Sequence, residues 1–382
     1  MVSEIKIGLL VPQSKQYTAL DKDFVRGVKA SGLQARYFVE SISVGADEQL
    51  IIDKIQKLSL QEDVNIIIAF FGHRNLQDVY EYTSNNNILL IVSEIGATLP
   101  FSQVKKQGVY INSLGLAESS FLLGDYLSNY KKYRNIVTSS SYYDVGYGIQ
   151  AAIEMSLYRN DAQFSGHYIT PFYPRENEAA CMLESITASQ PDAVFAFHSG
   201  LYAEEHASFV GVTSITKKYP FYMTSFSVND KIIEQYGDSL NDVFLVGSWL
   251  DGMKDETSCN FTKQYKEAYQ QKPSAFSLLG YESGAAVKAL LETCGTNAGF
   301  GTWTAEFNKI SVEGPRGTIA FSAETNRTVY DHYIFRMTVN ENAQSNLEQV
   351  ELLKNNGDFI KNITEQTLPE QTGGWHNAYL CH

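Results

Sequence analysis

Strand-length apolar runs alternate along this chain with helices that carry one apolar face, and residues 65–98 show the pattern most clearly. Residues 66–71 form an unbroken apolar run of strand length, too short for a buried helix, and 88–92 form another. Between them Gly72-His73-Arg74-Asn75 makes a polar turn, and Leu76, Val79, Tyr80 and Thr83 recur at helical spacing. Strands that are apolar on both faces belong to a parallel sheet covered by helices on each side. In such sheets ligands bind beyond the carboxyl ends of the strands. The turns 72–75 and 93–98 both fall at that end, and neither carries a nucleophile or a metal-ligand set. They predict a small-molecule site.

The same rhythm fills most of the sequence. Strands are predicted at 5–11, 37–41, 109–111, 135–139, 166–170, 193–197, 221–224 and 243–246. Helices are predicted at 21–31, 48–58, 119–129, 146–157, 179–189, 204–212, 259–270, 285–294 and 303–310, a hairpin strand at 317–321, and a further strand at 330–337. The stretch after Glu341 reads as a polar tail. Alternating βα units give right-handed crossovers and parallel sheets. At 382 residues the chain is long enough for two cores, so two doubly wound, Rossmann-like α/β domains are expected.

Composition narrows the partners. A net charge of −13 argues against nucleic acid and anionic membrane surfaces. No run approaches the ~20 apolar residues of a membrane span, so no direct membrane insertion is expected. The chain opens Met-Val-Ser-Glu without a signal peptide, which fits a cytosolic protein or a mature form with an added initiator Met. Cys181, Cys259, Cys294 and Cys381 lack metal-like spacing; Cys259 and Cys294 sit at helix edges where they could pair, and three connectivities are open.

Enzyme signatures are weak. Gly146-Tyr147-Gly148-Ile149-Gln150-Ala151 fits the dinucleotide pattern G-x-G-x-x-A, but six residues separate it from the preceding strand and no acidic residue ends a strand about 20 residues on. Close packing at a helix start is the favoured reading. No nucleophile elbow and no P-loop occurs. His198, Glu204, Glu205 and His206 crowd together, as do His376, Cys381 and His382; both groups read as solvated loop residues rather than metal sets. No cofactor is expected. Sequons at Asn260, Asn326 and Asn362 matter only in a secreted eukaryotic chain. Arg74, beside exposed turn amides, reads equally as a carboxylate receptor and as a surface ion pair with Asp78.

Five motifs in order resemble the type I periplasmic binding proteins, specifically the branched-chain amino-acid receptors of ABC importers. They are Lys6-Ile7-Gly8-Leu9-Leu10-Val11-Pro12 with Asp23-Phe24-Val25-Arg26-Gly27-Val28, then Phe71-Gly72-His73 with Ile91-Val92-Ser93 and Ala97-Thr98, Tyr143-Asp144-Val145-Gly146-Tyr147-Gly148, Ala275-Phe276-Ser277-Leu278-Leu279-Gly280-Tyr281-Glu282, and Gly314-Pro315-Arg316-Gly317-Thr318-Ile319-Ala320-Phe321. The resemblance spans residues 5–336. It implies a receptor without catalysis, in which two lobes joined by three crossovers close on a ligand by hinge bending. The lobes would comprise residues 1–117 plus 250–326 and residues 118–249 plus 327–382.

By the same resemblance Tyr17 and Phe276 would wall the ligand, Ile95, Gly96 and Ala97 would offer backbone groups to its anionic end, and Tyr202 would close from the second lobe. His73, Arg74, Asn75, Tyr142, Tyr143 and Phe226 complete the expected site. Two departures bear on the ligand. The family's carboxylate-binding Ser is replaced around Arg74, Asn75 and Leu76, and its ammonium-binding acid by Phe226. A buried ammonium without a carboxylate costs several kcal/mol, which favours an aromatic or anionic ligand over a plain aliphatic amino acid. The resulting expectation is a monomeric, periplasmic receptor for a small amino-acid-like or aromatic or anionic molecule, partnered by an ABC permease. A cytosolic sensor of the same fold and a nucleotide-dependent enzyme are its rivals.

Overall fold

A computed structural model of the chain describes residues 4–72, 76–99, 105–365, 375 and 377–381. The first sheet contains β1 (Lys6–Val11), β2 (Arg36–Ser41), β3 (Ile66–Phe70), β4 (Leu89–Glu94) and β5 (Val109–Ser113). Its order is β2-β1-β3-β4-β5, and every neighbouring pair is parallel. β3 and β4 are buried at every position, which is why their sequences run apolar without alternation.

The second sheet holds β6 (Asn135–Ser141), β7 (Gln163–Thr170), β8 (Ala193–Phe197), β9 (Phe221–Thr224) and β10 (Val243–Gly247). After a small hairpin of β11 (Ser311–Gly314) and β12 (Gly317–Ala320), β13 (His332–Val339) and β14 (Ser345–Leu353) return to that sheet. Its order is β14-β13-β10-β9-β8-β6-β7, with β13 and β14 antiparallel at one edge. The fold is therefore mixed α/β in two domains, each built on a mostly parallel sheet.

Sequence reading missed β11, β14 and the helices Asp230–Tyr236 and Asp358–Glu365. β14 is an edge strand whose inward face carries little more than Leu347 and Leu353, so its sequence reads as polar. The pairing of Cys259 with Cys294 that the sequence left open is not realised: all four cysteines are free thiols. Asn326 is buried and donates to the carbonyls of Lys106 and Val109, which removes it as a glycan acceptor.

The chain passes between the sheets after β5, after β10 and after β12. One buried side chain ties these passages together. Arg316, between β11 and β12, donates to both Glu282 carboxylate oxygens at 2.8 and 2.7 Å, to Ser248 Oγ at 2.7 Å and to Asn112 Oδ1 at 3.1 Å. Its guanidinium lies 3.7 Å from the ring centre of Tyr330, and Ser248 Oγ donates to the Leu114 carbonyl at 2.7 Å. The three connections thus share a single polar node.

Candidate functional site

Rings from both lobes converge beyond the carboxyl ends of the strands. Tyr17 follows β1 and Phe276 opens the helix Ala275–Cys294; their ring centres are 5.6 Å apart. That spacing follows from the close contact of Leu20–Ala30 with Ala275–Cys294. A Cβ on Gly27 would lie 2.0 Å from the Ser277 carbonyl oxygen, and one on Gly280 would lie 2.3 Å from that of Phe24. Phe70, the last residue of β3, meets Phe276 edge-on at 5.6 Å.

From the other lobe Phe226, just past β9, meets Tyr17 at 6.2 Å and Phe276 at 6.5 Å. Tyr143 and Tyr147 follow β6, with their hydroxyls 2.7 Å apart. Tyr202, in the helix Gly200–Thr213, stacks on Tyr143 at 6.3 Å.

One carboxylate sits among these rings. Asp144 is fully buried. It accepts from Ser141 Oγ at 2.5 Å, Ser199 Oγ at 2.6 Å, the Ser199 amide at 3.1 Å and the Tyr379 hydroxyl at 2.6 Å. Burial outweighs these donors and pushes its carboxyl up from 3.8 to about 6. The phenols of Tyr17, Tyr143, Tyr147 and Tyr379 are pushed up too, chiefly by burial, so all stay neutral.

The lobes are closed on each other. The Gly200 amide donates to Tyr17 Oη and the Leu201 amide to Gln16 Oε1, each at 2.9 Å. The Gly148 amide donates to the Ala97 carbonyl at 2.9 Å. Lys272 of the first lobe pairs with Asp230 of the second at 2.9 Å. Gly200 has a positive φ of 53°, and a Cβ there would lie 1.5 Å from Gln16 Oε1, so this approach requires glycine.

A segment of the chain itself enters the cleft. Trp375 donates from its amide to the Gly146 carbonyl at 2.8 Å and from its indole to the Tyr143 carbonyl at 2.7 Å. Tyr147 Oη donates to Asn377 Oδ1 at 3.0 Å. Tyr379 is buried between Tyr143 (6.1 Å, stacked), Tyr147 (4.8 Å, edge-on) and Phe226 (6.4 Å, edge-on), with its hydroxyl on Asp144. Its other side faces the first lobe, where a cavity of about 10 Å³ is lined by Phe70, Gly72, the stretch 94–98, Ala378 and Tyr379. That is room for about one water.

The predicted site residues divide accordingly. Tyr17, Phe226 and Phe276 meet directly, and Tyr143 and Tyr202 join them through Tyr379 and each other. Tyr142 does not join: it is 46% exposed and rests on Phe172 and Trp375 at the rim. Its neighbour Tyr143 turns inward instead, because the chain leaves β6 at Ser141 and bends into a helical turn at Tyr143 (φ −76°, ψ −51°). Ile95, Gly96 and Ala97 line the small cavity, but their carbonyls accept from the amides of Leu116, Ala117 and Gly148. His73, Arg74 and Asn75 lie outside the described residues.

Sequence reasoning missed Asp144, Tyr147 and Tyr379. The first two stood inside a quoted motif; an acid flanked by aromatics at a strand end was the available signal. Phe226 stands at the position expected of the family's ammonium-binding acid, and Asp144 supplies a buried acid elsewhere in the cleft. The reading of His198, Glu204, Glu205 and His206 as solvated loop residues is corrected. Glu204 is a surface partner of Lys231, whereas His198 and His206 are fully buried with rings stacked 3.9 Å apart. His198 follows β8 and His206 faces inward from its helix, where burial keeps both imidazoles neutral. Cys381 is likewise buried, and His376 and His382 lie outside the described residues. Among the described residues no cluster of three or more His, Cys, Asp or Glu could hold a metal ion. Gly146 and Gly148 are packing glycines: Cβ atoms there would lie 1.9 Å from Trp375 and 2.6 Å from Leu99.

Residues 4–344 match a family described as "Periplasmic binding protein". Comparison with curated protein sequences gives no match. Among solved structures, the chain is similar to an ABC transporter substrate-binding protein from Sphaerobacter thermophilus, with a TM-score of 0.79, 16% identity, and 91% of this chain and 97% of that one covered. A solute binding protein of an ABC transporter from Rhodopseudomonas palustris HaA2, in complex with p-hydroxybenzoic acid, gives 0.74 at 12% identity, covering 91% and 96%. A branched-chain amino acid transporter substrate binding protein from Streptococcus pneumoniae, in complex with isoleucine, gives 0.64 at 15%, covering 91% and 100%. With the match running through both lobes, the chain belongs to the periplasmic binding protein family, whose members bind a solute without transforming it.

Proposed function

We propose that this chain is the solute receptor of an ABC importer, working outside the cytoplasmic membrane and closing its lobes on one small aromatic or amino-acid-like molecule. The observation that carries this reading is the meeting of rings from both lobes around the buried carboxylate of Asp144. Burying a ring-sized apolar group contributes roughly 1.5–3 kcal/mol, and a single fixed acceptor sets its orientation. Asp144 accepts equally from a hydroxyl or an ammonium, so an amino acid with an aromatic side chain fits as well as a hydroxylated ring. The bound compounds named for the similar structures, an aromatic acid and an aliphatic amino acid, bracket this class.

The Tyr17–Gly200 and Gln16–Leu201 hydrogen bonds would form on closure and break on release, giving two states whose balance a solute shifts by its preference for one. An importer permease would read the closed arrangement. A thermal-shift and calorimetric screen across aromatic acids, aromatic and aliphatic amino acids and nucleotides tests the proposal. A solute at ~100 times its Kd adds about 2.7 kcal/mol of stability. Saturable binding of an aromatic acid or amino acid, abolished by Asp144→Ala with Phe226→Ala, is the expected result; binding of nucleotides alone would overturn it.

A further inference from the structure

We infer that Trp375 and residues 377–381 are a built-in competitor for the cleft, and that Tyr379 marks a phenol-bearing molecule as the class of solute able to displace it. The inference rests on the receptor reading for the solute and on the geometry alone for the competitor. Tyr379 lies where the strands of both sheets end, the place at which open α/β sheets bind ligands. Its ring takes contacts from Tyr143, Tyr147 and Phe226, and its hydroxyl donates to the buried carboxylate of Asp144.

The segment is anchored before it reaches that point. Trp375 is held by two hydrogen bonds to the 143–146 turn, and Asn377 takes the Tyr147 hydroxyl. Trp375 also fits against Gly146, where any side chain would collide with it. Bare backbone at 146 therefore accommodates the indole.

A tethered occupant acts at an effective concentration of order millimolar whatever the protein concentration. A solute then binds only the fraction of molecules whose cleft is vacated, and its apparent Kd rises by the inverse of that fraction. A cleft vacated about one time in a hundred weakens binding about a hundredfold. Molecules that reproduce the phenol on Asp144 compete on the tail's own terms, whereas solutes with neither a hydroxyl nor an ammonium leave that carboxylate with only its Ser141 and Ser199 donors.

The test uses the chain truncated after residue 374 and a synthetic peptide of residues 375–381, with Cys381 replaced by Ser. Calorimetry should show saturable one-to-one binding, weakened at least tenfold when the peptide's Tyr379 is replaced by Phe. No saturation at millimolar peptide, on a truncated chain that still melts cooperatively, would overturn the inference. If truncation abolishes folding, the full chain carrying Tyr379→Ala replaces it, probed with 4-methylphenol. That phenol should raise the melting temperature of the variant and not of the parent; equal response would overturn the inference. The two readings fail separately. Peptide binding with no solute from the panel leaves the competitor and removes the receptor reading. Equal solute affinity for truncated and full chains does the reverse.

Discussion

Asp144 is the residue on which the cleft's chemistry turns, and its environment gives a pH signature. Its folded-state pKa is raised from 3.8 to about 6, so its favourable contribution is full below about 4 and lost as pH rises through 6. The loss amounts to roughly 3 kcal/mol at about 1.4 kcal/mol per unit. Asp144→Asn removes that dependence. Urea unfolding of parent and variant should therefore diverge in the variant's favour between pH 4 and 7; parallel profiles would contradict the burial argument. His198 and His206 act with the opposite sign. Burial holds His206 down at about 3 and His198 well below its usual value, so their stability is present above 6.5 and lost as pH falls. Both nitrogens of His206 and Nδ1 of His198 are buried without a hydrogen-bond partner among the described residues. His206→Phe keeps a ring against His198 and removes the charging, so its acid-unfolding midpoint, followed by circular dichroism, should move to lower pH.

At the scale of elements, the node around Arg316 joins the hairpin, the helix Ala275–Cys294 and the passages after β5 and β10. Arg316→Ala leaves Glu282 buried without its cation and should cost roughly 3–5 kcal/mol. Replacing both partners by apolar residues of similar volume should cost far less, and denaturant titration of the two variants separates the cases. The βα alternation was legible because β3, β4 and β8 are buried on both faces and must read as apolar runs. β14 was not, since an edge strand buries too few residues to leave a period. The rings Tyr17 and Phe226 could be named from strand ends, because topology alone places those ends together, whereas Phe276 opens a helix and was named only through the resemblance. Asp144 was overlooked because its burial depends on Ser141, Ser199 and Tyr379, which converge only in three dimensions. Tyr379 could not be placed at all: no strand or helix period connects residue 379 to the end of β6.

For the whole molecule, hydrogen bonds such as Tyr17–Gly200 and Gly148–Ala97 join large lobes, which makes shape the natural observable. Removing residues 375–382 should raise the radius of gyration in small-angle scattering, and the Trp375–Cys381 peptide should lower it again. Tyr17→Phe, which deletes only the acceptor for the Gly200 amide, should open the full chain partially and leave each lobe's fold intact. No change in scattering for either variant would mean that the node around Arg316 and the remaining inter-lobe contacts fix the lobe angle. The contact between Trp375 and Gly146 carries a consequence beyond one molecule. A single methyl group at position 146 would sit 1.9 Å from the indole and evict it. Glycine and alanine codons differ by one base. On the competitor reading proposed above, selection therefore has a one-step route between a lineage that responds only to abundant solute and one that responds to traces, with the lining of the cleft untouched.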